Sequence, residues 1–329
     1  MDPRIIQMIK YCRVPFELNM KAGQSALIVA DTETDPLVWQ AMAAAAQSLN
    51  IEPTVTIMPP RPAHGHEPTD PVAAAMNVAD ATFFVTTKAL AHAHVKKEAQ
   101  SRGKLVVLME EVTPEMLSGG AASADYSAMG TLGARVLEAW AQCKNVRVAS
   151  DGGTDLTASV AGRKPFCIAG KAFKDPARPQ LGGVCAFPDG EAGIAPVEGT
   201  GEGQVVFDTT VHSIGLLREP IKITVRKGRI ATIEGGREAE ILREIINQHG
   251  DEHSYNFPAE ISIGLNPMAR ITGIMRVDKK LYGSVHIALG TNDDFGGTVH
   301  SKLHLDGLIR FPTVTMDGKV VVDKGKLTI

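Results

Sequence analysis

Two short stretches near the end of the sequence carry side chains able to hold a metal ion. In Gly283-Ser284-Val285-His286-Ile287-Ala288-Leu289-Gly290, an imidazole sits inside an apolar, strand-like run, where it must find a polar partner or be costly to bury. In Ser301-Lys302-Leu303-His304-Leu305-Asp306-Gly307, His304 and Asp306 alternate with two leucines. In a strand the two polar residues share one face and the leucines enter the core. Two imidazoles and one carboxylate suit a divalent transition metal. Spacing alone is equally compatible with a hydrogen-bonded structural pair, so both readings stand at this point.

The other histidines carry less. His64-Gly65-His66 lies in a Pro-rich loop and His92-Ala93-His94 begins a helix, with no carboxylate or cysteine at ligand spacing, so both pairs read as exposed or capping residues. His253 precedes a strand and reads as a loop residue or a substrate contact, and His212 and His300 are treated in the same way. Tyr282 reads as packing rather than as a group that orients substrate.

The elements that must position these residues follow from patterning. Ser25 to Ala30, Glu52 to Met58, Ala81 to Thr87, Lys104 to Met109 and Val146 to Ala149 are strand-like, with helix-like segments between them. Asp35 followed by Pro36 opens the first of these helices, and others run from about Pro71, from Ala91 to Arg102 and from Tyr126 to Cys143. Crossovers of this length require a parallel sheet covered on both faces. The first strand ends in Ala30-Asp31-Thr32-Glu33-Thr34-Asp35, without the glycines that bring backbone amides to a phosphate, so Asp31 and Asp35 read as turn and cap residues. Past residue 150, Lys227-Gly228 and Asp317-Gly318 each separate two strand-like runs, and Arg237 to Gln248 is a clear helix. The predicted organisation is an α/β, Rossmann-like domain with a parallel sheet over 1–152, followed by an α+β metal-binding catalytic domain over 153–329.

Composition narrows the class. The chain has 329 residues, 44% of them hydrophobic, enough for a sizeable core and more than one domain. A formal net charge of -3 lacks the basic excess of a nucleic-acid or anionic-membrane binder. No apolar run approaches the ~20 residues that cross a bilayer, and the first residues lack the ordered regions of a signal peptide, so the expectation is a cytoplasmic protein. Cys12, Cys143, Cys167 and Cys185 form no C-x-x-C pair and read as reduced thiols.

The two C-terminal stretches resemble the end of the thermophilic aminopeptidase family, the aminopeptidase T and S type of metallopeptidase. In that family a His in an Ala-Leu-Gly strand and a later His-x-Asp bind two metal ions, together with two upstream glutamates. The counterparts here are Glu191, in Phe187-Pro188-Asp189-Gly190-Glu191, and Glu260, in Asn256-Phe257-Pro258-Ala259-Glu260. The likeness covers mainly residues 185–325. It implies that Glu191, Glu260, His286, His304 and Asp306 hold two divalent ions (Zn, Co or Mn), bridged by a water that attacks a carbonyl while Glu191 or Glu260 carries the proton.

The resemblance therefore implies a metallohydrolase, aminopeptidase- or amidase-like, acting on a small amide or short peptide. It also implies a homodimer with an enclosed chamber between the domains, and specificity in loops such as Ile168 to Leu181 and Asn292 to Gly297. One departure stands out: where the peptidases carry a Tyr soon after the strand His, this sequence reads Thr291-Asn292-Asp293-Asp294-Phe295. A second branch of the superfamily, the ring-cleaving dioxygenases of dihydroxypyridine breakdown, keeps the His-x-Asp but carries His where Glu260 stands. The alternative expectation is thus a non-heme Fe(II) dioxygenase with a triad of His286, His304 and Asp306. A relative that keeps the fold as a non-catalytic binding or assembly protein is the third reading.

Overall fold

The computed structural model describes residues 2–62, 65–91, 93–172 and 184–329. Contacts divide the chain into two compact units, Met1–Tyr126 with Ile168–Asp189, and Ser127–Cys167 with Gly190–Ile329. Each unit is discontinuous in sequence, which differs from the expected single cut at 152/153.

The first unit contains α1 (Pro3–Asn19), β1 (Ser25–Asp31), α2 (Pro36–Ser48), β2 (Glu52–Met58), α3 (Asp70–Val78), β3 (Ala81–Phe84), α4 (His94–Ser101) and β4 (Leu105–Leu108). Its parallel sheet runs β2-β1-β3-β4 and ends on the strand Val184–Ala186, which is β8 in chain order. Six of the seven residues of β1 are buried, as expected of a strand covered on both faces. Asp35 caps α2 by accepting from the Leu37 amide at 2.9 Å. Asp31 ends β1 and accepts from the Thr87 amide and hydroxyl at 2.6 and 2.9 Å, a tie between two strand ends rather than a phosphate cradle. Sequence reasoning missed α1, although Asp2-Pro3 repeats the signal of Asp35-Pro36 and Asp2 accepts from the Arg4 amide at 2.9 Å. The helix holds because Ile5, Met8, Cys12 and Phe16 fall on one buried face, with the Phe16 and Phe83 rings 4.3 Å apart.

The second unit opens with α5 (Tyr126–Gln142), β5 (Asn145–Ala149), β6 (Asp155–Ser159) and β7 (Phe166–Ile168). It continues through β9 (Glu191–Ile194), β10 (Glu202–Phe207), β11 (Thr210–Val211), β12 (Gly215–Leu216), β13 (Ile221–Arg226), β14 (Arg229–Glu234) and α6 (Arg237–His249). The remaining elements are β15 (Glu260–Gly264), α7 (Met275–Asp278), β16 (Val285–Gly290), β17 (His304–Ile309), β18 (Thr313–Met316), β19 (Lys319–Asp323) and β20 (Lys326–Leu327). They build two sheets, ordered β14-β13-β10-β6-β5-β18-β19-β20 and β12-β11-β17-β16-β15-β9-β7.

The segment Val146 to Ala149, expected in the parallel sheet, instead pairs antiparallel with β6 and β18. Its alternating burial is that of a strand with one solvated face, and its place in the parallel sheet belongs to β8. Both expected hairpins are present. Lys227-Gly228 and Asp317-Gly318 all have positive φ, the signature of a tight two-residue turn matched to strand twist. The coarse architecture is therefore a helix-covered parallel sheet together with large antiparallel sheets. No helix among the described residues is long and apolar enough to cross a membrane.

Candidate metal centre

Four neighbouring strands of the seven-stranded sheet supply the five expected ligands, and their register explains why the residues meet. Gly264 lies opposite Glu191, Ser262 opposite His286, Ala288 opposite both Glu260 and Asp306, and Gly290 opposite His304. Directly opposed residues of antiparallel strands point to the same face, as do residues two apart. Hence Glu191 (β9), Glu260 (β15), His286 (β16), His304 and Asp306 (β17) project from one face. The positions between them on that face are small: Gly193, Ser262, Gly264, Ala288 and Gly290. A side chain on Gly193 would place its first carbon 1.7 Å from the Ser262 hydroxyl oxygen. These small residues thus leave room for the long polar side chains, beside Leu308, which lies opposite His286.

Glu260 is the centre of the cluster. Its Oε1 accepts from the Ser262 hydroxyl at 2.6 Å and lies 3.0 Å from His286 Nε2, while its Oε2 lies 3.2 Å from His304 Nε2. His286 Nε2 is also 3.6 Å from Glu191 Oε2, and His304 Nε2 is 3.3 Å from Asp306 Oδ1. The ligand atoms fall into two overlapping triads, Glu191–Glu260–His286 and Glu260–His304–Asp306, sharing Glu260. His304 Nδ1 donates to the Thr291 carbonyl at 2.8 Å, which fixes the ring and turns Nε2 toward the carboxylates. Glu191, Glu260, His286 and Asp306 are all at most 4% exposed.

Two residues that sequence reasoning did not single out complete the site. Lys280 Nζ lies 2.7 Å from Glu191 Oε1, and Lys279 Nζ donates to Asp306 Oδ2 at 2.8 Å. Both follow the short helix α7, and Lys280 is buried. Asp278-Lys279-Lys280 lies between apolar Val277 and Leu281 just before the His286 strand, a position that composition alone assigns to the surface.

Burial opposes charge throughout the cluster, and the partners override it. For His304, desolvation works against the imidazolium, yet the Asp306 and Glu260 carboxylates beside its Nε2 hold it and push the pKa up to about 10. Burial would raise Glu191, Glu260 and Asp306, but all three lie below the usual carboxylate range. The nearby lysines draw Glu191 down, the two imidazoles draw Glu260 down, and Lys279 with His304 does so for Asp306. Burial likewise opposes the Lys279 ammonium, and Asp306 with the two glutamates raises it.

Four buried atoms nevertheless have no hydrogen-bond partner: Glu191 Oε2, Glu260 Oε2, Asp306 Oδ1 and His286 Nδ1. Buried polar atoms without partners are costly, and three of these are carboxylate oxygens at the triads. Oxygen and imidazole donors of this kind fit a divalent cation, so the donor set passes the test for a metal.

The loop after β16 closes one side of the cluster. Asn292 and Thr298 donate to Glu198 Oε1 at 2.9 and 2.8 Å, and Arg163 pairs with Glu198 Oε2. The Phe295 ring lies between Phe166 and His304, with centroid distances of 4.8 and 5.4 Å. Asp293 accepts from the Thr291 hydroxyl at 2.9 Å and faces His300 at 3.1 Å, so it forms the turn and is not a cluster residue. His300 and His253 are exposed, the latter within a capped turn, and Tyr282 is at the surface. His94 begins α4, where Glu67 accepts from the His94 and Val95 amides. His64, His92 and most of the expected specificity loop Ile168 to Leu181 lie outside the described residues. The four cysteines form no disulfide with one another, and burial pushes Cys12 up to about 12.

Fold and cluster together define a two-unit scaffold carrying a buried group of carboxylates and imidazoles whose ligand atoms could hold a metal ion. The family model described as NicX, 2,5-dihydroxypyridine 5,6-dioxygenase, matches residues 7–329, and the chain belongs to that family. The curated 2,5-dihydroxypyridine 5,6-dioxygenase of Pseudomonas putida (strain KT2440) is 27% identical over 257 residues, covering 74% of this chain and 70% of that protein. The structure of 2,5-dihydroxypyridine dioxygenase from Pseudomonas putida KT2440 has a TM-score of 0.81 at 24% identity, over 98% of this chain and 97% of that one. Wild-type AmpT from Thermus thermophilus has a TM-score of 0.74 at 15% identity, over 98% and 99% of the two chains.

Both branches expected from the sequence thus share the fold, and the dioxygenase branch is the better supported. The metallohydrolase expectation, with its metallopeptidase, aminopeptidase and amidase activities, is overturned by the family model and the curated relative. Phe295 sets a ring without a hydroxyl against His304, and lysines engage two of the carboxylates.

Proposed function

We propose that this chain is a ring-cleaving dioxygenase that adds both atoms of dioxygen across one ring bond of a 2,5-dihydroxypyridine-type substrate, using a single ferrous ion. The observation that carries the reading is the pair of overlapping triads with unpartnered buried oxygens, in a chain matched over nearly its whole length by the dioxygenase family model. Glu260, His304 and Asp306 are the residues that would hold the ion, because His304 is already oriented by the Thr291 carbonyl. When bound, ferrous iron supplies the one-electron chemistry that lets dioxygen react with a closed-shell aromatic ring.

The chain's own residues do the rest. Lys279 fixes Asp306 through one oxygen and leaves Oδ1 facing the cluster. Glu191 is held ionised beside the lysines, so its unpartnered Oε2 is the acceptor for a hydrogen bond from a substrate group. Phe295 packs against the His304 ring and keeps that side of the cluster apolar, which favours an aromatic substrate over water.

Oxygen uptake with 2,5-dihydroxypyridine, measured with metal content on protein purified without chelator, tests the proposal. Oxygen consumption stoichiometric with loss of the ring absorbance supports it. Hydrolysis of an aminoacyl amide with no oxygen uptake on any dihydroxypyridine refutes it.

A further inference from the structure

We infer that Lys279 and Lys280 stand in for a second divalent ion, so that a five-residue cluster able to offer two triads takes one ion per chain. The inference rests on the metal-site reading above and concerns how the chain limits that site.

The geometry supports it in three ways. First, each outer carboxylate is engaged by an ammonium on one oxygen, Glu191 Oε1 by Lys280 at 2.7 Å and Asp306 Oδ2 by Lys279 at 2.8 Å. Each triad therefore keeps one carboxylate oxygen from its outer residue and shares Glu260 with the other. Second, the charges close with one ion. Three carboxylates and two ammoniums leave one negative charge when both imidazoles are neutral ligands. One divalent ion brings the total to one positive charge, which an ionised substrate hydroxyl neutralises. Two ions bring it to three positive charges in a site whose acidic residues are at most 4% exposed, and uncompensated buried charge is strongly disfavoured.

Third, the lysines are anchored by the backbone that bears them. Asp278, fully buried, accepts from the Thr210 hydroxyl at 2.7 Å, the Thr272 amide and hydroxyl at 2.7 and 2.8 Å, and the Gly273 amide at 2.8 Å. The Lys280 carbonyl accepts from the Asn266 amide at 2.8 Å. On the next strand Gly264 lets this segment approach, since a first side-chain carbon there would lie 2.1 Å from the Leu281 carbonyl oxygen. A device this firmly tied beside the ligands is a fixed pair of positive charges, which is what a second ion would otherwise provide.

The experiment is metal stoichiometry, independent of turnover. Metal-free parent, Lys280→Met, Lys279→Met and the charge-keeping Lys280→Arg are titrated with Co(II), read by native mass spectrometry and by the visible absorption of the bound ion. The expected result is saturation at one Co(II) for the parent and Lys280→Arg, and at two for Lys280→Met or Lys279→Met. Lys279 is the more exposed of the two, so Lys279→Met serves if Lys280→Met does not fold. Two ions on the parent overturn the inference while leaving the metal site standing, and so does saturation at one on every folded methionine variant. A parent that binds no Co(II) overturns the metal-site reading and this inference with it.

Discussion

Replacing Glu260 by Gln tests whether this one carboxylate organises the whole cluster. The variant keeps shape and volume but removes a charge and presents an amide NH2 toward groups that are themselves donors. Three contacts are at stake: the Ser262 hydroxyl at 2.6 Å, His286 Nε2 at 3.0 Å and His304 Nε2 at 3.2 Å. A unit charge pair at the last distance is worth about 5 kcal/mol at an effective dielectric of about 20. Breaking one partner of a buried ion pair costs about 3–5 kcal/mol in measured cases. We therefore expect metal-free Glu260→Gln to lose about 3–5 kcal/mol of unfolding free energy, read by urea denaturation in the presence of a chelator. Both triads also lose their common ligand, so affinity for Co(II), measured by competition with a chromophoric chelator, should fall at least about 100-fold, the upper end of what lost supporting partners cost. A variant within about 1 kcal/mol of the parent that binds Co(II) equally well refutes the central role of Glu260.

The raised pKa of His304 gives a pH signature in metal-free protein. The folded-state value, about 10, lies above the ordinary 6.5, so its stabilisation is whole below about 6.5 and is lost as pH rises through about 10. A ligand Nε2 must be unprotonated, so Co(II) addition at pH 8 should release a proton that His304→Gln does not release, and affinity should climb with pH up to about 10. Gly264→Ala should cost about 1–3 kcal/mol by thermal denaturation, because the new methyl group meets the Leu281 backbone and displaces the segment bearing the lysines. A parent-like melting temperature in that variant would refute the close approach.

The legible parts of the molecule were those written in local pattern. Leu303-His304-Leu305-Asp306 alternates as a one-faced strand must, and the two Lys-Gly and Asp-Gly turns name their hairpins. What the sequence left open was partnership across distance. Val146 to Ala149 reads as a strand, but nothing in it says that its neighbours are β6 and β18, and the three residues of β8 are too few to carry a period. His286, His304 and Asp306 were legible in the pattern, Glu191 and Glu260 came from family resemblance, and the common face of all five became visible only in the register of four strands. Lys279 and Lys280 escaped notice because two adjacent lysines are ordinarily solvated, and their burial depends on Gly264 and Asp278. The reaction class was misjudged because Glu260, where the resemblance implies a His in the dioxygenases, was given more weight than the His-x-Asp that both branches share. The informative residue was Phe295, read as a missing phenol rather than as an apolar wall beside His304.

The distribution of the cluster over β9, β15, β16 and β17 also sets a timetable for its assembly. Glu191 reaches the others only when β9 pairs with β15, a partner about seventy residues further along the chain, and His304 with Asp306 joins only when β17 pairs with β16. Contacts of such sequence separation form slowly, since a long loop must close before any pairing rewards it. A nascent chain emerging from the ribosome therefore presents no triad containing His304 and Asp306 until β17 has been made. Metal capture at that triad accordingly waits for β17, and a chain truncated within β17 is expected to emerge without it.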